Sequence, residues 1–255
     1  MTPFEWLAVA YFLVLLAAVP RASRPRRGAA FVCGAIALVI VARFALPWAA
    51  RVWLAHAYLL LGYWIPAAFV PDAPNERFQR WLARTDWTRA WRIRGTMARH
   101  VLEVAYLCCY PLVPAAFAIV FAFGSAEDVA RFWIAVLSAG YACYITLPWI
   151  PARPPRLVDV ESSVLPHAVA TVNAAVLGRV SHQLVTFPSG HVAVSVAAAL
   201  AVWRVWPEAG VAFGAIALLI AVAAVAGRYH YLIEVVLGLV VGGATALVRF
   251  ARSFS

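Results

Sequence analysis

Long apolar runs alternate with short polar connections along the whole chain. Eight runs approach the roughly 20 residues that a helix needs to cross a bilayer: residues 4–20, 29–47, 52–70, 101–123, 131–150, 190–206, 210–226 and 231–249. The first lacks a basic start and is followed by Arg21-Ala-Ser-Arg24-Pro-Arg26-Arg27 instead of a small-residue cleavage site, so it reads as a membrane span and not as a signal peptide. The pattern predicts an all-α fold, a polytopic membrane helical bundle.

The connections carry the remaining organisation. Pro25 interrupts any continuous helix through the basic stretch 21–27, and Leu46 to Arg51 is long enough only for a tight hairpin. Between Pro71 and His100 seven arginines are interleaved with Phe78, Trp81, Leu82, Trp87, Trp91 and Ile93. Phe78, Trp81 and Leu82 fall on helical spacing, which predicts an amphipathic helix near 75–95, aromatic side towards the acyl chains and arginines among the lipid phosphates. Gly124 to Asp128 is an acidic turn. Residues 151–188 form the longest connection, too apolar for a disordered one, and Ser163 to Val185 is expected to form a short surface helix covering a site.

Composition narrows the class. With 65% hydrophobic and 13% charged residues the chain is not a soluble domain. Its net charge of +10 is carried by 21 basic residues that are all arginine, suited to bidentate contact with phosphate. A basic chain often signals nucleic acid, but no soluble domain is present to hold it. Anionic membrane lipids are the expected partner. Cys33, Cys108, Cys109 and Cys143 lie inside apolar runs without ligand spacing and read as small buried hydrophobes.

Three polar clusters stand at helix ends: Pro151-Ala-Arg153-Pro-Pro-Arg156, Phe187-Pro-Ser189-Gly190-His191 and Gly227-Arg228-Tyr-His230-Tyr. The first two stand at the two ends of one connection and a pair of spans separates the second from the third, so all three lie on one side of the membrane. In the second, Ser189 is a candidate N-cap and Gly190 permits close approach of the backbone, so the next helix would begin with free N–H groups aimed at an anion. His191, in the first turn, could give a proton to a leaving oxygen. In the third, His230 and Glu234 are four residues apart and share a helix face, so the carboxylate can hold one ring nitrogen and leave the other to attack. Phosphoryl transfer needs cations on the phosphate oxygens, an in-line nucleophile and an acid. Arg153, Arg156 and Arg228 could supply the first, His230 the second and His191 the third.

No metal or other cofactor is expected. One histidine and one glutamate make an incomplete zinc site, and His-Glu-x-x-His is absent. Ser189 lacks the Gly-x-Ser-x-Gly elbow of a serine hydrolase. His56, His100, His167 and His182 read as structural, with His182, nine residues before His191, the one nearest the expected site.

With these motifs, the chain resembles the type 2 phosphatidic acid phosphatase superfamily over roughly residues 52–250, and most closely the branch that includes inositol phosphorylceramide synthase-like proteins. The resemblance implies a six-helix catalytic membrane core, here residues 51–255, preceded by an N-terminal transmembrane helix pair at 1–50. It also implies a phosphohistidine on His230, proton donation by His191 and phosphate contacts from Ser189, Gly190 and the arginines. Departures are visible. No lysine opens the first motif, Glu234 stands where an aspartate is usual, and Ala224 occupies the position six before His230 that often holds an arginine, with Arg228 only two before it.

Three readings follow. The first is a phosphatase acting on a lipid phosphate or lipid pyrophosphate; the second is a phosphotransferase onto a lipid or inositol-type hydroxyl. The third is a non-catalytic scaffold or transporter. Arginine counts near the clusters favour a cytoplasmic site, whereas the resemblance implies one facing the periplasm of a bacterial inner membrane. The second placement is preferred, because arginines in a head-group helix or an active site have another reason to be there.

Overall fold

The computed structural model describes residues 1–22, 25–70, 75–90, 95–158 and 168–247. Helices account for nearly all regular structure there: α1 (Pro3–Leu15), α2 (Pro25–Ala45), α3 (Trp48–Trp64), α4 (Glu76–Arg84), α5 (Thr96–Leu107), α6 (Cys109–Phe123), α7 (Ala126–Tyr144), α8 (Pro155–Val158), α9 (Ala168–Val180), α10 (Gly190–Val205), α11 (Pro207–Ala226) and α12 (Leu232–Leu247). The protein is an all-α bundle, and its long apolar helices make it a membrane protein.

Among the described residues, four helical stretches are long and apolar enough to cross a membrane: Pro3–Pro20, Pro25–Ala45, Trp48–Phe69 and Pro207–Ala226. The other expected runs depart from simple spans for local reasons. The run 101–123 is broken into α5 and α6 with a bend of 53°, where Pro111 has no N–H to give to the Leu107 carbonyl. α7 carries Glu127, Asp128 and Arg131 at its start, capped by Ser125, whose Oγ accepts from the Asp128 N–H at 3.2 Å. α10 has only 16 residues, about 24 Å of helix against a hydrocarbon core of roughly 30 Å. It can be short because it is a central helix, packed against α6, α7, α11 and α12.

One large apolar core joins α1, α2, α3, α6, α7 and α10, with Phe12, Tyr58, Phe117, Phe132 and Trp133 in its interior. At one end of it the buried Glu5 carboxylate receives both Arg51 Nε and Nη2 at 2.7 Å. A smaller core gathers Tyr106, Leu177, Val192, Ala224, Tyr229 and Val235 beneath the polar helix ends.

The expected amphipathic helix near 75–95 is shorter than its pattern. α4 ends at Arg84, where the Thr85 hydroxyl donates to the carbonyls of Trp81 and Leu82, both at 3.1 Å. A 3-10 turn over Trp87–Ala90 follows. Within α4, Leu82 is fully buried against Ala152, Val185 and Tyr231, while Arg77, Arg80, Trp81 and Arg84 are exposed. Trp91, Arg92, Ile93 and Arg94 fall outside the described residues. The surface helix expected over 163–185 is α9, which begins at Ala168 and packs against α5; residues 163–167 and the structural assignment of His167 lie outside the described residues.

Candidate active site

Close helix crossing brings the clusters together. Gly238 and Gly242, one turn apart on α12, lie directly against the backbone of α10: a Cβ on Gly238 would come within 2.8 Å of the Ser189 carbonyl, and one on Gly242 would collide with that of Ala193. Only glycines permit this approach. The Ser189 N–H donates to the Glu234 carbonyl at 2.9 Å, so the start of α10 is tied to the start of α12. The first cluster joins through the Arg156 N–H, which donates to the Arg228 carbonyl at 3.1 Å, and through an antiparallel bridge between Ala152 and Val185.

The result is that two imidazoles distant in sequence face each other, with the His191 and His230 ring centroids 5.9 Å apart. His230 is buried, and its Nδ1 lies 3.0 Å from Glu234 Oε2. The same carboxylate oxygen accepts the Tyr231 N–H at 3.0 Å. A carboxylate held in this way keeps the proton on Nδ1 and leaves Nε2 as the free lone pair. Burial, and then the Arg156 charge, push the His230 imidazole down to about 3, so it is neutral and able to attack near neutral pH.

His191, His230 and Arg156 line one small cavity with Tyr63, Tyr106, Thr186 and Tyr229. Its volume is about 20 Å³, room for one water-sized group. The Arg156 guanidinium lies over the Tyr229 ring, 4.5 Å from its centroid, and its Nε is buried with no hydrogen-bond partner. Ser189 caps α10 in backbone conformation but makes no capping bond; its fully buried Oγ has no partner. The free N–H expected at Gly190 is instead satisfied by Thr186 Oγ1 at 3.0 Å.

Two arginines stand elsewhere. Arg153 is exposed, and its backbone is held by Gln79, whose Oε1 accepts the Arg153 N–H at 2.7 Å and whose Nε2 also donates to Tyr231 Oη at 2.8 Å. Arg228, in a left-handed backbone conformation with φ 59°, directs Nη1 to Asp86 Oδ2 at 2.6 Å, both side chains buried. The sequence pattern casts Arg228 as a phosphate contact; the structure gives its charge to a carboxylate from the segment after α4, because a buried guanidinium takes the nearest fixed anion.

Some participants carried no signal in the sequence. Tyr63 donates to Ser181 Oγ at 3.1 Å and stacks on His182 with centroids 4.3 Å apart. Burial, and then the neighbouring His191, push the His182 imidazole down to about 4. Tyr63 also meets His191 edge-on at 6.3 Å. By contrast, His56 Nδ1 donates within its own helix to the Trp53 carbonyl at 2.8 Å, and the ring sits among Trp53, Phe117 and Trp133. Among the described residues no three His, Cys, Asp or Glu side chains are grouped to hold a metal ion.

Fold and site together define a helical membrane protein in which two histidines and one arginine line a common cavity. The family profile of the PAP2 superfamily matches residues 76–248, more than half of the chain and all three clusters, and the chain belongs to that superfamily. Membership supports an enzyme of phosphatase type. No curated protein and no solved structure gives a significant match.

Proposed function

We propose that the protein is an integral membrane lipid phosphatase that removes phosphate from a lipid phosphomonoester or pyrophosphate through a phosphohistidine. The approach of His191 to His230, with Glu234 holding the far nitrogen of the latter, is the observation that carries this reading. His230 Nε2 attacks phosphorus, forming an N–P bond as the bond from phosphorus to the lipid oxygen breaks. The leaving oxygen takes the electron pair and a proton from His191. Water, losing a proton to the now neutral His191, then attacks phosphorus and releases inorganic phosphate from His230. Arg156 and the Ser189 hydroxyl hold the phosphate oxygens, and Arg153 meets the head group at the rim; Arg228, paired with Asp86, fixes the backbone carbonyl that receives the Arg156 N–H. We place the site on the periplasmic side of a bacterial inner membrane.

Incubation of purified protein with a radiolabelled lipid phosphate, followed by rapid denaturation at alkaline pH, is expected to leave label on His230. Release of free phosphate without any added alcohol is the expected second result. Release only after an inositol-type or lipid alcohol is supplied would make the protein a phosphotransferase, and no label and no release would leave a scaffold or transporter.

A further inference from the structure

We infer that Glu103 is a positioning residue for the phosphate-reading arginine, acting through Tyr229. This rests on the reading of Arg156 as a phosphate contact. A guanidinium on a flexible stem recognises phosphate well only if its plane is fixed beforehand. Here the fixing surface is the Tyr229 ring. Tyr106 stacks on one face of that ring, with centroids 3.8 Å apart and planes 7° from parallel, so the Arg156 guanidinium at 4.5 Å takes the opposite face. Stacking on two sides stops the ring from tilting but not from sliding in its own plane. The hydroxyl prevents that: Tyr229 Oη donates to Glu103 Oε2 at 2.6 Å.

Glu103 is itself buried, and a carboxylate in that position must have its hydrogen bonds satisfied. It has a second donor in the Asn173 side chain of α9, which bonds the same Oε2 and also reaches the Glu103 carbonyl at 2.9 Å. α9 supplies Leu177 to the wall of the catalytic cavity. One carboxylate therefore fixes both the ring beneath the arginine and the helix beside the phosphate pocket. Its negative charge at the phenol oxygen also enriches the ring face on which the guanidinium rests, strengthening the contact between cation and ring.

Tyr229→Phe keeps both stacked faces and removes the hydroxyl that bonds Glu103; Glu103→Gln keeps the hydroxyl and an acceptor and removes the charge, so an effect shared by the two belongs to the link between them. Each is expected to raise KM for a short-chain lipid phosphate about tenfold while kcat stays within about threefold, and to weaken inhibition by inorganic phosphate in step with KM. In an Arg156→Ala background neither change should add a further loss, because the group being positioned is gone. If Glu103→Gln fails to fold, Tyr229→Phe carries the test alone. A purely structural role would lower thermal stability in both backgrounds and leave KM unchanged, and that result would overturn the inference. A second arm needs no turnover: inorganic phosphate is expected to raise the melting temperature of the His230→Ala protein, and less so with Tyr229→Phe added. Phosphate stabilisation equal in the two proteins overturns the role of Glu103 alone. No stabilisation of either, together with no inhibition of the wild type, overturns the phosphate site and the proposed function with it.

Discussion

The two ends of α3 show what separates an arginine fully paired inside the bundle from one that keeps a donor unbonded. At the start of the helix Arg51 meets Glu5 with both ends of its fork, and both side chains are shut away from solvent. Twelve residues on, about 18 Å along the axis, Tyr63 reaches the cavity between His191 and His230 and the Ser181 hydroxyl. There Arg156 lies on an aromatic face with its Nε unbonded. The first arrangement is complete without any other molecule. The second keeps a donor in reserve, at a place where an anion could accept it.

The comparison can be broken most decisively at the histidines. His230→Ala and His191→Ala are each expected to lower turnover at least about a thousandfold, with an unchanged elution profile in detergent; near-normal activity in either would remove its assigned role. Next come the two arginines, which should fail in opposite ways. Arg156→Ala is expected to lower kcat/KM about a hundredfold with little change in melting temperature. Arg51→Leu, by leaving Glu5 buried without its partner, is expected to cost about 3–5 kcal/mol of stability while activity per folded molecule holds. If Arg51→Leu lost specific activity and kept its stability, the two ends would not differ as described. Glu234→Gln should lower turnover about tenfold or more, and Glu234→Asp less; equal rates would mean that the carboxylate charge is unimportant. The smallest expected effect is that of EDTA, which should leave phosphate release unchanged in a continuous assay.

Periodicity made the helical class and most helix positions legible, and the spacing of His230 and Glu234 encoded their contact because one turn of helix enforces it. The breaks were harder to read. α4 stops at Arg84 although the aromatic and basic pattern continues, since Thr85 turns its hydroxyl back on the helix end, and the apolar run through Leu107 and Cys108 hides a bend of 53°. Pairings across the chain were not legible at all. Asp86 and Arg228 are 142 residues apart, and Glu103 and Tyr229 are 126 apart. Each acid looks like an isolated charge in a basic or apolar stretch, and only tertiary packing supplies its partner. That is why the sequence pattern cast Arg228 as a phosphate ligand and passed over Glu103.

The bridge between Ala152 and Val185 has an evolutionary consequence. It pinches shut the base of the longest connection, and Arg156, just inside that closure, is held separately by its N–H bond to the Arg228 carbonyl, so neither tie depends on the outer part of the loop. Insertions or exchanges in the intervening chain can then change which molecules fit without disturbing the reacting groups. Descendants of such a scaffold can diverge in diet while sharing one chemistry.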